Sequence, residues 1–138
     1  MKNRCEREII ELHQFFQDWF NGAGPNTDEQ FARAAGVLAE GFVIISPDGT
    51  LTEGAPLLAR IRQGHGTRPN FRIWVEDFRF HRQDGHIALT TYQEWAEIGE
   101  ETTARLSTAL FREKAGTPNG VEWLHVHETW LRQMQEGE

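Results

Sequence analysis

From residue 71 to residue 132 the chain reads as four long strands in succession, and this run constrains the fold more than any other feature. Segments 71–82, 86–98, 102–113 and 121–132 are separated by turn signals: Asp84-Gly85, then Gly99, then Gly116-Thr117-Pro118-Asn119-Gly120. Asp-Gly between strand-like stretches favours a tight hairpin, because the residues at the turn need positive φ. Strands joined so closely are antiparallel neighbours. In the last strand, period two puts Trp123, His125, His127 and Thr129 on one face and Leu124, Val126, Glu128 and Trp130 on the other. A half-solvated strand shows one apolar and one polar face. A tryptophan on each side predicts that both sides of the sheet are covered.

Helical signals come first. Ile9, Leu12, Phe16, Trp19 and Phe20 form a bulky stripe over residues 3–22, stopped by Asn21-Gly22-Ala23-Gly24-Pro25. Thr27-Asp28-Glu29-Gln30 has the capping-box pattern and opens a second helix to about Glu40, with Phe31, Ala34, Ala35 and Leu38 inward. Phe42–Ser46 is a short buried strand, Pro47-Asp48-Gly49-Thr50 a turn, and Leu51-Thr52 a return segment. Pro56 suits the first turn of a third helix carrying Leu57, Leu58 and Ile61. Helices first and an antiparallel meander after is an α+β pattern, with helices on the concave side of a curved sheet. At 138 residues without a linker, the chain reads as one domain, 1–138.

Composition excludes several classes. A net charge of −7 with scattered Lys and Arg argues against a nucleic-acid partner. No apolar run approaches the roughly 20 residues that cross a bilayer, and a single cysteine, Cys5, rules out an internal disulfide and fits a reducing cytoplasm. The expectation is a cytoplasmic protein without membrane or nucleic-acid partners.

Two local patterns carry a resemblance. Phe42-Val43-Ile44-Ile45-Ser46-Pro47-Asp48-Gly49, followed by Gly54 and the Leu57-Leu58 helix, and the ending Trp123-Leu124-His125-Val126-His127, together with the element order, resemble the nuclear transport factor 2-like superfamily. The similarity is greatest to bacterial proteins related to the calcium/calmodulin-dependent kinase II association domain. It implies a cystatin-like cone, often dimeric, on a fold that hosts isomerases, dehydratases, hydrolases and pure association domains. The tyrosine of related steroid isomerases has no counterpart in the first helix, since Tyr92 is the only tyrosine. The aspartate–arginine–aspartate set of related epoxide hydrolases is not assembled by Asp77, Arg79 and Arg105. The pocket arginines of the association domain map to Thr91, Thr108 and Trp130, which implies a neutral, greasy pocket.

Parity then divides the sheet. Thr91, Gln93, Trp95, Thr108, Glu128 and Trp130, with Trp74 and with Trp19 of the first helix, are expected to line a mainly apolar pocket for a small apolar ligand. Glu128 is the candidate acid or base. Tyr92, Arg105, Ser107, Phe111, Trp123, His125 and His127 are expected on the opposite face as the interface of a homodimer. Two histidines two apart could share a metal with Glu94, but no carboxylate or cysteine stands at diagnostic spacing, so neither metal nor cofactor is expected. Two classes remain: a homodimeric binding or association module, and a small-substrate isomerase, dehydratase or hydrolase using Glu128 or a histidine.

Overall fold

The computed structural model describes residues 1–134, and its elements follow the order read from the sequence. The helices are α1 Lys2–Asn21, α2 Asp28–Ala35 and α3 Gly54–Gln63; the strands are β1 Leu38–Ile45, β2 Leu51–Glu53, β3 Arg72–Asp84, β4 Ile87–Ile98, β5 Glu101–Glu113 and β6 Val121–Arg132. Gly22, at φ 77°, ends α1, and the amides of Gly22 and Ala23 close its last turn on the carbonyls of Trp19 and Asp18. At the start of α2 the Thr27 hydroxyl accepts from the Gln30 amide, as the capping pattern predicts. That helix ends at Ala35 rather than near Glu40. Leu38 instead opens β1 and pairs with Trp123 of β6, so sheet pairing overrides the helical periodicity of Leu38.

The six strands form one sheet in the order β2-β1-β6-β5-β4-β3. β1 runs parallel to β6, and every other neighbouring pair is antiparallel. This is an α+β fold of the nuclear transport factor 2-like kind, with helices against one face of the sheet. Its core joins Ile9, Leu12 and Trp19 of α1 to Ala88, Tyr92, Ala109, Phe111, Trp123 and Val126 of the sheet. Because α1 supplies the bulk, much of the inner sheet face is small. Full burial of a large apolar side chain such as Phe111 contributes roughly 1.5–3 kcal/mol.

On β4 and β5 the sheet faces lie the other way round from the parity expectation, whereas on β6 Val126 and Glu128 face inward as expected. On β4 the buried residues are Ala88, Thr90, Tyr92 and Ala96, and on β5 Thr103 and Ala104 near its start, then Ser107, Ala109 and Phe111. Leu89 and Ile87 point outward, 37% and 40% exposed. On β6 a bulge adds to the change: Leu110 pairs with His125 and Phe111 with Trp123, so Leu124 has no partner of its own. An extra residue turns the following side chains to the opposite face. Trp123 therefore shares the inner face with Val126 and Glu128, while His125 and His127 stay outside.

Candidate functional site

The inner face closes around a small cavity of about 120 Å³ between α1, β1, α3 and the sheet. Most of its wall is apolar, from Leu12 and Phe16 of α1, Phe42 and Ile44 of β1, Leu57 and Leu58 of α3, and the rings of Tyr92 and Trp123. One end is polar. Two rows cross the sheet there side by side. Tyr92, Ser107 and Glu128 are register partners on β4, β5 and β6, and Glu94, Arg105 and Trp130 are partners in the next row. His13 of α1 faces them.

Hydrogen bonding fixes the proton of His13. Its Nδ1 lies 2.7 Å from the Ile9 carbonyl oxygen, which can only accept, so Nδ1 carries a hydrogen. Its Nε2 lies 2.9 Å from Glu94 Oε1. That contact holds one proton, giving either an imidazolium–carboxylate pair or an imidazole–carboxylic acid pair. Burial pulls the His13 pKa down, but the hydrogen bond and charge of Glu94 outweigh it and the result lies above the usual value. Burial pushes Glu94 up, yet the hydrogen bond and charge of His13, then Arg105, bring it below the usual carboxylate value. Both directions favour the ion pair.

The second carboxylate behaves differently. Arg105 Nη1 donates to Glu128 Oε1 at 2.8 Å, and the guanidinium lies 4.8 Å from the Trp130 ring centre. Burial, and next the charge of Glu94, push the Glu128 pKa up to about 7 despite Arg105. Tyr92 is raised well above its ordinary value, by burial first and then by Glu94 and Glu128, and so stays a hydroxyl. Ser107 Oγ, fully buried beside it, makes no hydrogen bond of good geometry. Two carboxylates in one apolar cavity thus have proton affinities driven apart, the arrangement that separates an acid from a base.

Of the residues expected in the pocket, Glu128 lines it, and Trp130, next along the strand on the same face, lies under the Arg105 guanidinium without lining the cavity. The others lie elsewhere. Trp19 is buried against Phe31 and His65, with its indole N–H donated to the Ile61 carbonyl. Trp74 and Trp95 stack on each other as register partners. Thr91 bonds His81, Gln93 accepts from Trp95, and Thr108 pairs with Thr91 and His127 on the outer face. Of the expected interface, Tyr92, Ser107, Phe111 and Trp123 are buried within the chain itself, and Arg105 turns to Glu128. Only His125 and His127 of that set lie outside. The cause is the inverted parity and the Leu124 bulge.

His13 and Glu94 are the functional side chains that periodicity overlooks. His13 falls inside the apolar stripe, four residues after Ile9 and three before Phe16. A polar residue on a buried helix face is the signal that was available. Further along α1, Glu8 is fully buried and receives both guanidinium nitrogens of Arg33, the Asn119 amide and the Trp123 indole N–H. Burial pushes the Cys5 thiol up to about 11, which leaves it unreactive. Among the described residues, no group of three or more His, Cys, Asp or Glu side chains is placed to hold a metal ion. Among them, too, no helix is long and apolar enough to cross a membrane.

Comparison with known proteins places this geometry. The family model described as "Sucrose-6-phosphate phosphohydrolase C-terminal" matches residues 5–132. The chain belongs to this family. Among relatives of the sucrose-phosphohydrolase C-terminal family, sucrose-phosphatase 1 of Nicotiana tabacum is 30% identical over 129 residues, which cover 91% of this chain and 30% of that protein. Sucrose-phosphatase 2 of the same plant is 24% identical over 127 residues, covering 90% and 30%. The chain thus spans about a third of the length of the curated relatives it matches. Solved structures agree on the fold. An NTF-2 like protein of unknown function from Pseudomonas aeruginosa superposes with a TM-score of 0.81 at 24% identity, covering 92% of this chain and 98% of its own. The CaMKII association domain of C. elegans gives a TM-score of 0.62 at 18% identity, covering 93% and 97%.

Proposed function

We propose that this domain is a small-molecule-binding module that associates as a homodimer. The observation that carries the reading is the cavity itself: apolar walls around a polar end that keeps Glu94, Glu128 and His13 together in the core. A core built only for stability gains little from such groups, since an apolar filling of the same volume is often as stable or more so. Small-molecule sites have this composition, apolar walls with a few placed polar groups. At about 120 Å³ the cavity suits a ligand of a few heavy atoms. Drug-sized ligands need roughly 300–1,000 Å³, a class that includes a phosphorylated disaccharide. A small-ligand binding or association role therefore fits better than binding the substrate named in the plant relatives.

The homodimer would use the outer sheet face. There Leu89, Leu110, His125 and Val43 form one row across four strands, and Thr91, Thr108, His127 and Ile45 the next. A two-fold interface joins the same patch of both copies, so one half-apolar face can serve both sides. The similar solved chains that are association or hub domains point the same way.

A titration of the amide NMR spectrum with small fragments tests the binding reading. Shifts confined to residues around His13, Phe42, Glu94 and Glu128 are the expected result; shifts only on the outer face, or none, contradict it. The second reading, an acid–base enzyme, is favoured by one observation, the opposite displacement of Glu94 and Glu128. It is distinguished by turnover that Glu128→Gln abolishes.

A further inference from the structure

We infer that the ligand of this pocket is a small organic cation, an ammonium head held by the free oxygens of Glu94 and Glu128 with its apolar tail in the cavity. The inference rests on the binding reading above and names its ligand class.

The argument is an account of hydrogen-bonding capacity at the polar end. His13 has no donor to spare, because Nδ1 is held by the Ile9 carbonyl and Nε2 by Glu94 Oε1. Arg105 gives Nη1 to Glu128 Oε1, and its guanidinium is a third exposed and lies over Trp130. The two cations of the site are therefore engaged or turned away from the cavity. The acceptors are not. Among the described residues, Glu94 Oε2 and Glu128 Oε2 receive no hydrogen bond, and both side chains line the cavity. Ser107 Oγ, fully buried between Tyr92 and Glu128 in the same row, makes no hydrogen bond of good geometry. A buried polar atom without a partner, as Ser107 Oγ is, is uncommon and costs about 1–3 kcal/mol. What is missing from this end is a donor carrying several hydrogens, and an ammonium carries three.

Charge agrees. The groups facing Glu128 are Tyr92 and Glu94 from β4, Arg105 from β5 and His13 from α1, with Asp48 of the β1–β2 turn acting on Arg105. Burial, and next the charge of Glu94, raise the affinity of Glu128 for a proton, and a ligand cation can take that proton's place. The walls add to this, since the faces of Phe16, Phe42, Tyr92 and Trp123 attract cations where water is excluded. The tail is short: a dry cavity of about 150 Å³ accommodates benzene, so about five heavy atoms fill this one. An anionic ligand would meet two carboxylates first.

Calorimetric titration of the chain with n-butylamine, n-butanol and butyrate is the test. At about pH 8 the amine is expected to bind at least ~10-fold more tightly than n-butanol, a difference of about 1.4 kcal/mol, and butyrate most weakly. Amine affinity is expected to drop about tenfold from pH 8 to pH 6 as Glu128 takes up its own proton. Glu128→Gln should erase the amine's advantage while n-butanol still binds, and the comparison of the three probes on the unmodified chain does not depend on that variant. Equal binding of n-butanol, or preference for butyrate, overturns the cation and leaves the pocket as a ligand site. Binding of none of the three overturns both.

Discussion

Trp123 donates its indole N–H to Glu8 Oε2 at 2.9 Å, and the ring of the same side chain forms part of the cavity wall. One residue thus ties the central strand to α1 and shapes the pocket. Glu8 also binds Arg33 and Asn119, so α1, α2, the β5–β6 turn and β6 meet on a single buried carboxylate. Glu8→Ala leaves Arg33 without its main partner and should cost about 3–5 kcal/mol in urea unfolding. A loss below about 1 kcal/mol, the range of an exposed pair, would show that the cluster is incidental.

Stability should fall as pH rises from about 4.5 to about 7. The Glu128 pKa is raised from 4.5 to about 7 in the folded chain, so in that window the folded state holds a proton the unfolded state has released. The derivative of unfolding free energy with pH is then negative. The contribution is complete below the unfolded value and gone above the folded one. Glu94, lowered, has the opposite sign and acts below 4.5; His13, raised, contributes below 6.5 and is lost as pH passes its folded value. Glu128→Gln should remove a slope worth on the order of 3 kcal/mol. An unchanged slope in urea melts of the variant would put the titration elsewhere.

His13 should titrate above the ordinary imidazole value, because Glu94 stabilises its charged form against burial. Side-chain nitrogen NMR is expected to show both ring N–H groups persisting to higher pH than in an ordinary histidine, with the Nδ1 proton slow to exchange because the Ile9 carbonyl holds it. Glu94→Gln removes the charge that sustains the imidazolium and should lower that titration. A His13 that titrates at its ordinary value would break the proposed pairing.

The element order was legible in the sequence, because capping at Thr27, the Asp84-Gly85 turn and the strand lengths are local properties. The faces were not. Period two makes Ile87, Leu89 and Trp95 look like core, but α1 already brings Trp19, Ile9 and Leu12. The strands opposite it accept Ala88, Thr90 and Ala109, whose small size gives no hydrophobic signal. Nor does local sequence mark the bulge at Leu124, since it arises from how β6 fits β5. Glu128 was legible as a pocket residue. His13 and Glu94 became visible only when helix and sheet met, because their chemistry lies in a contact between residues 81 apart.

The outer face predicts the oligomer. Sedimentation at micromolar concentration should give a dimer, and Thr108→Arg, set between Thr91 and His127, should dissociate it by placing like charges across the two-fold. The variant should keep its fold, since Thr108 is not part of the core. A wild-type monomer, or an intact dimer of Thr108→Arg, would remove this face as the interface.

The central claim is that the cone holds a usable cavity rather than a filled core. Crystals of the chain under xenon pressure test it most directly. The account predicts a xenon peak enclosed by Phe16, Phe42, Trp123 and Val126, next to the carboxylates of Glu94 and Glu128. Xenon found only at the surface, with side chains packed across that space, would contradict it.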